Sequence, residues 1–259
     1  MRLSRHLRNA VEGKRLRHSE RLWHLAYKYG MGSCFSGLWV KGLEIAEIAR
    51  RLGADSVGEQ CDWGNLMKGS QHDEEEGIIW GGRLNDEWTQ IIEIRRYRGA
   101  DALPELSMGQ GAAISVGWHV NGPQDILYAA GGRYVTAFDV TSPGRRHGSD
   151  PRALDAYADG LQFDWDDPTW RDDPGLLPGW LEFSAAEEAL EEGEISEEEF
   201  YENMRPEWED YVTLTLNGYS PPLATCLTSA LVLVGRVTGR ELDDEWMAGT
   251  HARFVLSAD

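Results

Sequence analysis

Between Gly77 and Val140 the chain becomes a succession of short apolar segments separated by turn residues, and few folds accommodate such a succession. Ile78, Ile79 and Trp80 precede a turn at Asn85-Asp86, and Trp88, Ile91, Ile92 and Ile94 follow it. A further run, Ala113, Ile114, Val116, Trp118 and Val120, ends at Asn121-Gly122, a dipeptide suited to a tight turn because both positions tolerate positive φ. Asp125 to Ala130 returns, Gly131-Gly132 turns the chain again, and from Arg133 to Val140 the residues Tyr134, Thr136 and Phe138 separate in parity from Val135, Ala137 and Asp139. Strands joined by short turns pair with their sequence neighbours, so the pattern predicts a five-stranded antiparallel β-meander.

Helical patterns flank this region. Leu7, Val11, Leu22, Leu25 and Ala26 recur among basic residues over 4–28, interrupted by Gly13, and predict one or two short helices. Lys41 to Leu52 carries an apolar stripe (Leu43, Ile45, Ala46, Ile48, Ala49, Leu52), with Gly53 where a left-handed cap belongs. Val57 to Glu76, rich in Gly and charge around Trp63, reads as a surface loop. Asp101 to Leu106, with Pro104, reads as one helical turn between the second and third strands. Leu223 to Val237 predicts a buried apolar helix stopped by Thr238-Gly239, and Asp243 to Met247 a further turn. The expectation is an α+β fold in which the meander packs against N- and C-terminal helices: a basic helical segment over 1–30, then a single α+β domain over 31–259.

Charge divides the chain unevenly. The net formal charge of −19 repels a polyanion at any extended contact, which argues against sequence-independent nucleic-acid binding. Between Asp155 and Asp210 there are 20 acidic residues and two arginines, Arg171 and Arg205, so this insert over 155–210 carries −18. Within it, Ser184 with Glu187 and Ser196 with Glu199 have capping-box spacing and predict two short acidic helices, Ser184 to Leu190 and Ser196 to Met204, around Gly193. The first 28 residues hold eight basic and two acidic side chains, with apolar residues too dispersed for an export signal. Leu223 to Val234 is too short to span a bilayer. Three cysteines, Cys34, Cys61 and Cys226, form no close pair, so neither a disulfide framework nor a zinc ribbon is indicated and a cytoplasmic protein is expected.

The order of Gly81-Gly82, Leu106-Ser107-Met108-Gly109, Trp118-His119-Val120-Asn121, Tyr128-Ala129 with Gly131-Gly132, Phe138-Asp139, Arg146-His147-Gly148-Ser149-Asp150-Pro151 and the terminal Val237-Thr238-Gly239 resembles an uncharacterised actinobacterial family, domain of unknown function 6461. The resemblance runs from Trp39 to Trp246 and implies no known reaction. The acidic stretch around Asp164 to Asp210 departs from that family's compact form, in which a short helix follows the Asp-Pro.

Several clusters carry chemistry that can be weighed. Arg145, Arg146 and His147 could form a carboxylate- or phosphate-binding site, or the arginines could pair with the acidic insert while Asp150 caps a helix beginning at Pro151. His119 could be oriented by Asp125 as a general base, or be a surface residue at a hairpin end; Gly32 to Gly37 lacks the Gly-x-Ser-x-Gly spacing of a nucleophile elbow. The runs His72 to Glu76 and Asp164 to Asp173 match no calcium loop and offer at most adventitious divalent binding. Gly109-x-Gly111 precedes a strand and opens no long helix, which excludes a phosphate-cradling loop, so no cofactor is expected. Trp165, Trp170, Trp180 and Trp208 lie among the acids of the insert, either pinning it to the meander or anchoring a partner.

The sequence therefore leads to a non-enzymatic interaction or inhibitor protein, resembling an immunity protein or antitoxin, that binds a basic protein partner through Trp165, Asp166, Asp167, Trp170, Trp180, Glu197, Glu198 and Trp208. The alternative is a small-molecule binder or tailoring enzyme with a Trp-lined cleft holding His119, Asp125, Arg145, Arg146 and His147. A homodimer held by the basic N-terminal segment and the acidic insert is a third arrangement.

Overall fold

A computed structural model describes residues 20–54, 58–69, 76–163, 177–205, 208 and 223–256. In chain order the elements are α1 (Arg21–Lys28), β1 (Phe35–Lys41), α2 (Ile45–Arg51), β2 (Glu59–Asp62), α3 (Trp63–Gly69), β3 (Gly77–Arg83), β4 (Trp88–Ile94), α4 (Gly99–Leu106), β5 (Ala112–His119), β6 (Gly122–Pro123), β7 (Ile126–Ala130), β8 (Arg133–Asp139), β9 (Ser142–His147), α5 (Asp155–Ala158), α6 (Leu177–Glu191), α7 (Glu197–Glu202), α8 (Leu223–Thr238), α9 (Asp244–Met247) and β10 (Thr250–Leu256). The ten strands form one sheet in the order β2-β10-β3-β4-β1-β5-β7-β8-β9, with β6 paired to β5 and every pairing antiparallel.

The α+β class holds, but the five-stranded meander does not. All five predicted strands are present as β3, β4, β5, β7 and β8, yet β1 lies between β4 and β5, pairing Trp39 with Gln90 on one side and with Ile114 on the other. The reason is burial on both faces. Helices cover both sides of the sheet, so β1 (Phe-Ser-Gly-Leu-Trp-Val-Lys) is buried from Phe35 to Val40 and shows none of the polar alternation of a half-exposed strand. On one face Trp39, Trp80, Ile92, Ile114 and Phe138 pack beneath α1, α8 and α9; on the other, Leu38, Val40, Ile79, Ile91 and Ala113 pack beneath α2 and α4.

Local signals fared better at helix ends. Gly53 at φ +83° and Gly239 at φ +82° follow α2 and α8, as the left-handed cap positions require. Asp243 caps α9, its carboxylate accepting the Trp246 N–H at 2.7 Å. Four boundaries differ from expectation. Lys41 belongs to β1, so α2 begins at Ile45; the expected loop over 57–76 contains β2 and α3, whose Trp63 and Leu66 are buried; α4 has eight residues instead of one turn; and the first insert helix begins at Leu177, leaving Ser184 inside it. Asp150 accepts the Arg152 N–H at 3.2 Å and closes a turn, and the helix that follows begins only at Asp155.

The described part of the basic N-terminal segment is integral to the core. Leu22 and Ala26 of α1 are buried, Arg21 pairs with Glu241 between α8 and α9, and Lys28 pairs with Asp244 of α9, so these two cations are engaged by the C-terminal region. Among the described residues no helix is long and apolar enough to cross a membrane.

Candidate protein-interaction surface

The acidic insert builds a helical hairpin from α6 and α7. α6 ends in a Schellman arrangement: Gly193 takes φ +73°, its N–H donates to the Leu190 carbonyl at 3.1 Å, and the Glu194 N–H reaches the Ala189 carbonyl at 2.8 Å. α7 then starts on Ser196, whose hydroxyl accepts the Glu199 N–H at 3.1 Å, the cap anticipated from the Ser-x-x-Glu spacing. Glu197, Glu198 and Glu199 fill the first turn of α7, where carboxylates are stabilised by the helix dipole.

A small aromatic core closes the hairpin. Phe183, Phe200 and Trp208 are buried, with Phe183 5.8 Å from the Trp208 ring and Phe200 6.3 Å from it. None of the three belongs to either core of the sheet. Trp208 is thus a correction: at 6% exposure, its indole consolidates the hairpin from inside and cannot serve as a partner-facing anchor. Trp165, Asp166, Asp167 and Trp170 lie outside the described residues, as do the two acidic runs considered for divalent binding except Glu76, and Trp180 is placed only as a residue of α6.

What the hairpin presents outward is mostly carboxylate, with the Tyr201 ring exposed beside it. Glu182, Glu188, Glu192, Glu194, Glu197, Glu198, Glu199 and Glu202 are exposed. The cation among the hairpin's described residues, Arg205, pairs with Glu182 and lies 5.4 Å from the Trp208 ring. Exposed carboxylates this dense make the local potential strongly negative over a range of about 8–10 Å in ordinary buffers.

The residues of the enzyme alternative do not assemble. His119 and Asp125 are both exposed, and no hydrogen bond or ion pair joins them among the described residues. Arg146 is structural: its guanidinium pairs with Asp155, donates through Nε to the Pro143 carbonyl at 2.7 Å and lies 5.0 Å over the Phe138 ring. Arg145 and His147 are exposed on β9. The expected Trp-lined cleft is absent from the described residues, because Trp39, Trp80, Trp88, Trp118 and Trp246 are core. A cavity of about 390 Å³ is lined instead by Arg51, Leu52, Gly53, Arg98, Asp101 and Ala102, none of them anticipated.

Arg146→Ala is accordingly expected to lower stability by about 1 kcal/mol, combining a partly exposed ion pair with a cation–π contact, while His147→Ala changes nothing measurable. Paired urea denaturation curves check this, and equal midpoints for the two variants would contradict it.

Sequence reasoning also missed a contact at the opposite end of β1. Cys34 Sγ and Tyr97 Oη share a hydrogen bond of 2.8 Å, and burial together with that bond pushes the Tyr97 phenol up to about 12. Arg95, close by in sequence, holds φ +74° in the left-handed region. Tyr97 stood in no motif, so no sequence signal pointed to its pairing with Cys34. No protein-family model, curated protein or solved structure matches the chain.

Proposed function

We propose that the chain is a non-enzymatic interaction protein of immunity-protein or antitoxin type, in which the acidic α6–α7 hairpin enters the cationic groove of a basic protein partner. One observation carries this reading: the hairpin buries Phe183, Phe200 and Trp208 and leaves a dense set of carboxylates in solvent, with the Tyr201 ring exposed beside them and a single arginine among them. Burying Phe183, Phe200 and Trp208 gives the element a rigid shape, so the charge is displayed on ordered helices and its pattern can be read by a partner. Such a surface accelerates encounter with a cation and makes the rate fall with salt. Trp208 enters the reading only as internal support. Cytoplasmic residence and membership of the family of domain of unknown function 6461 belong to the same proposal; three cysteines with no close pair in sequence and the motif order support them.

The test separates position from total charge. Glu197→Gln/Glu198→Gln/Glu202→Gln removes three hairpin charges, and Asp86→Asn/Glu105→Gln/Asp125→Asn removes three exposed charges elsewhere. Capture of basic proteins from native-host extract at low salt is expected to be lost with the first variant and kept with the second. Equal capture by both would show that only net charge matters and would overturn the reading.

A further inference from the structure

β9 ends the sheet, with no strand beyond it among the described residues. Past His147 the chain continues along β8, the Asp150 N–H donating to the Val135 carbonyl at 2.8 Å, so the open edge runs from Ser142 to Asp150. Three exposed arginines flank it: Arg145 on β9, Arg133 at the start of β8, and Arg152 just past the edge. His147 is exposed on the same strand.

These guanidiniums have no carboxylate partner among the described residues. Other cations do, among them Arg21 with Glu241, Arg83 with Glu44 and Arg240 with Asp243, while exposed Arg236 is held by the backbone carbonyls of Tyr157 and Asp159. Edge strands are commonly blunted against unwanted pairing by a proline or one charge, and Pro143 with a single arginine would meet that need. Three arginines along one edge, without a carboxylate partner among the described residues and in a chain of net charge −19, form a surface complementary to an anionic element.

We propose that this edge is a self-association surface that receives the acidic hairpin of a second copy of the chain. The charge complement is present in the same polypeptide, on an ordered element. If hairpin and edge exchange reciprocally, the interface is two-fold and every contact occurs twice, which doubles a set of individually weak ion pairs. The inference rests on the reading of the hairpin as a cation-seeking surface and adds regulation to it: the dimer shields the hairpin, and a more basic partner separates the two copies by competing for it.

Sedimentation velocity on the full chain over a concentration series tests this. The wild type is expected to dimerise at low salt and dissociate at high salt. Arg133→Glu/Arg145→Glu/Arg152→Glu, all exposed and outside the cores, is expected to weaken dimerisation by about tenfold or more. Mixing it with Glu197→Lys/Glu198→Lys/Glu202→Lys restores a mixed dimer. A wild type monomeric throughout at low salt, or an arginine variant that dimerises like the wild type, overturns the inference. Binding of poly-L-lysine distinguishes the two levels: a monomeric wild type whose poly-L-lysine binding depends on the hairpin glutamates loses only the inference. Binding indifferent to those glutamates removes the function reading as well.

Discussion

Trp80→Ala is expected to cost about 4 kcal/mol of folding stability, within the range for deleting a fully buried tryptophan. Trp80 is completely buried in β3, and the indole is a junction between elements distant in sequence. Its ring lies 5.1 Å from Trp63 of α3, 5.2 Å from Trp246 of α9 and 4.6 Å from His251 of β10, steeply inclined to each. Its Nε1–H donates to the Cys61 carbonyl at 3.0 Å, tying β3 across β10 to the edge strand β2. Alanine removes the ring contacts, opens a cavity and leaves that carbonyl without its donor. Trp80→Phe, which keeps an aromatic ring and loses the N–H, should cost about half as much. The denaturation midpoint should fall without change in slope; a loss below about 1.5 kcal/mol would mean that the neighbouring rings close the gap unaided.

The same variant has a second readout. Burial holds the His251 imidazole below its ordinary value, although the ring is also bonded to the Trp246 carbonyl at 2.7 Å. A depressed folded value favours neutral histidine in the fold, so this contribution is complete above the unfolded value of about 6.5 and is lost as pH falls through the folded one. Opening the Trp80 site to water should move the His251 titration back upward and flatten that acid-side loss.

Trp80 also illustrates what the sequence made legible. Its strand stood out because a turn at Asn85-Asp86 separated two apolar runs, and the structure pairs them, Trp80 opposite Ile92. Turn and cap chemistry acts over a few residues, so Ser196, Gly53 and Gly239 were found at their posts. The central strand was lost because its neighbours are supplied by residues far away: β4 and β5 flank β1 from 51 positions (Trp39 and Gln90) and 75 positions (Trp39 and Ile114) along the chain. A strand covered on both faces shows no alternation to read. The hairpin was legible as two acidic helices, whereas the burial of Trp208 follows from Phe183 and Phe200 meeting it in space, which spacing alone does not give.

Glu93 shows the same limit from the other side, and it carries the second large prediction. In Ile-Ile-Glu-Ile it has the look of a solvent-facing polar position on a strand, yet it is 3% exposed. Its carboxylate accepts the Ser36 hydroxyl at 2.8 Å from β1 and the N–H groups of Arg98 at 2.9 Å and Gly99 at 2.8 Å, so it caps α4 from β4. A Cβ on Gly99 would stand 2.9 Å from the carboxylate, which explains glycine there. Glu93→Ala leaves three donors without an acceptor beneath two helices, and a loss of about 3–5 kcal/mol is expected. Glu93→Gln keeps an acceptor for the two amides and should stay within about 1 kcal/mol of wild type.

The two substitutions separate the hydrogen bonds from the charge. Burial, ahead of the opposing hydrogen bonds, pushes the Glu93 carboxyl above the ordinary carboxylate range. With a raised folded value, the stability supplied by this group is complete below the unfolded value of about 4.3 and declines as pH rises through the folded one, because the fold must then hold a desolvated charge. Glutamine has no such decline. The stability of Glu93→Gln relative to wild type should therefore improve steadily from acid to neutral pH, while Glu93→Ala remains destabilised throughout. A gap between Glu93→Gln and wild type that is constant across that interval would show an unperturbed carboxylate, and one that widens against glutamine would show that the charge itself holds α4 in place.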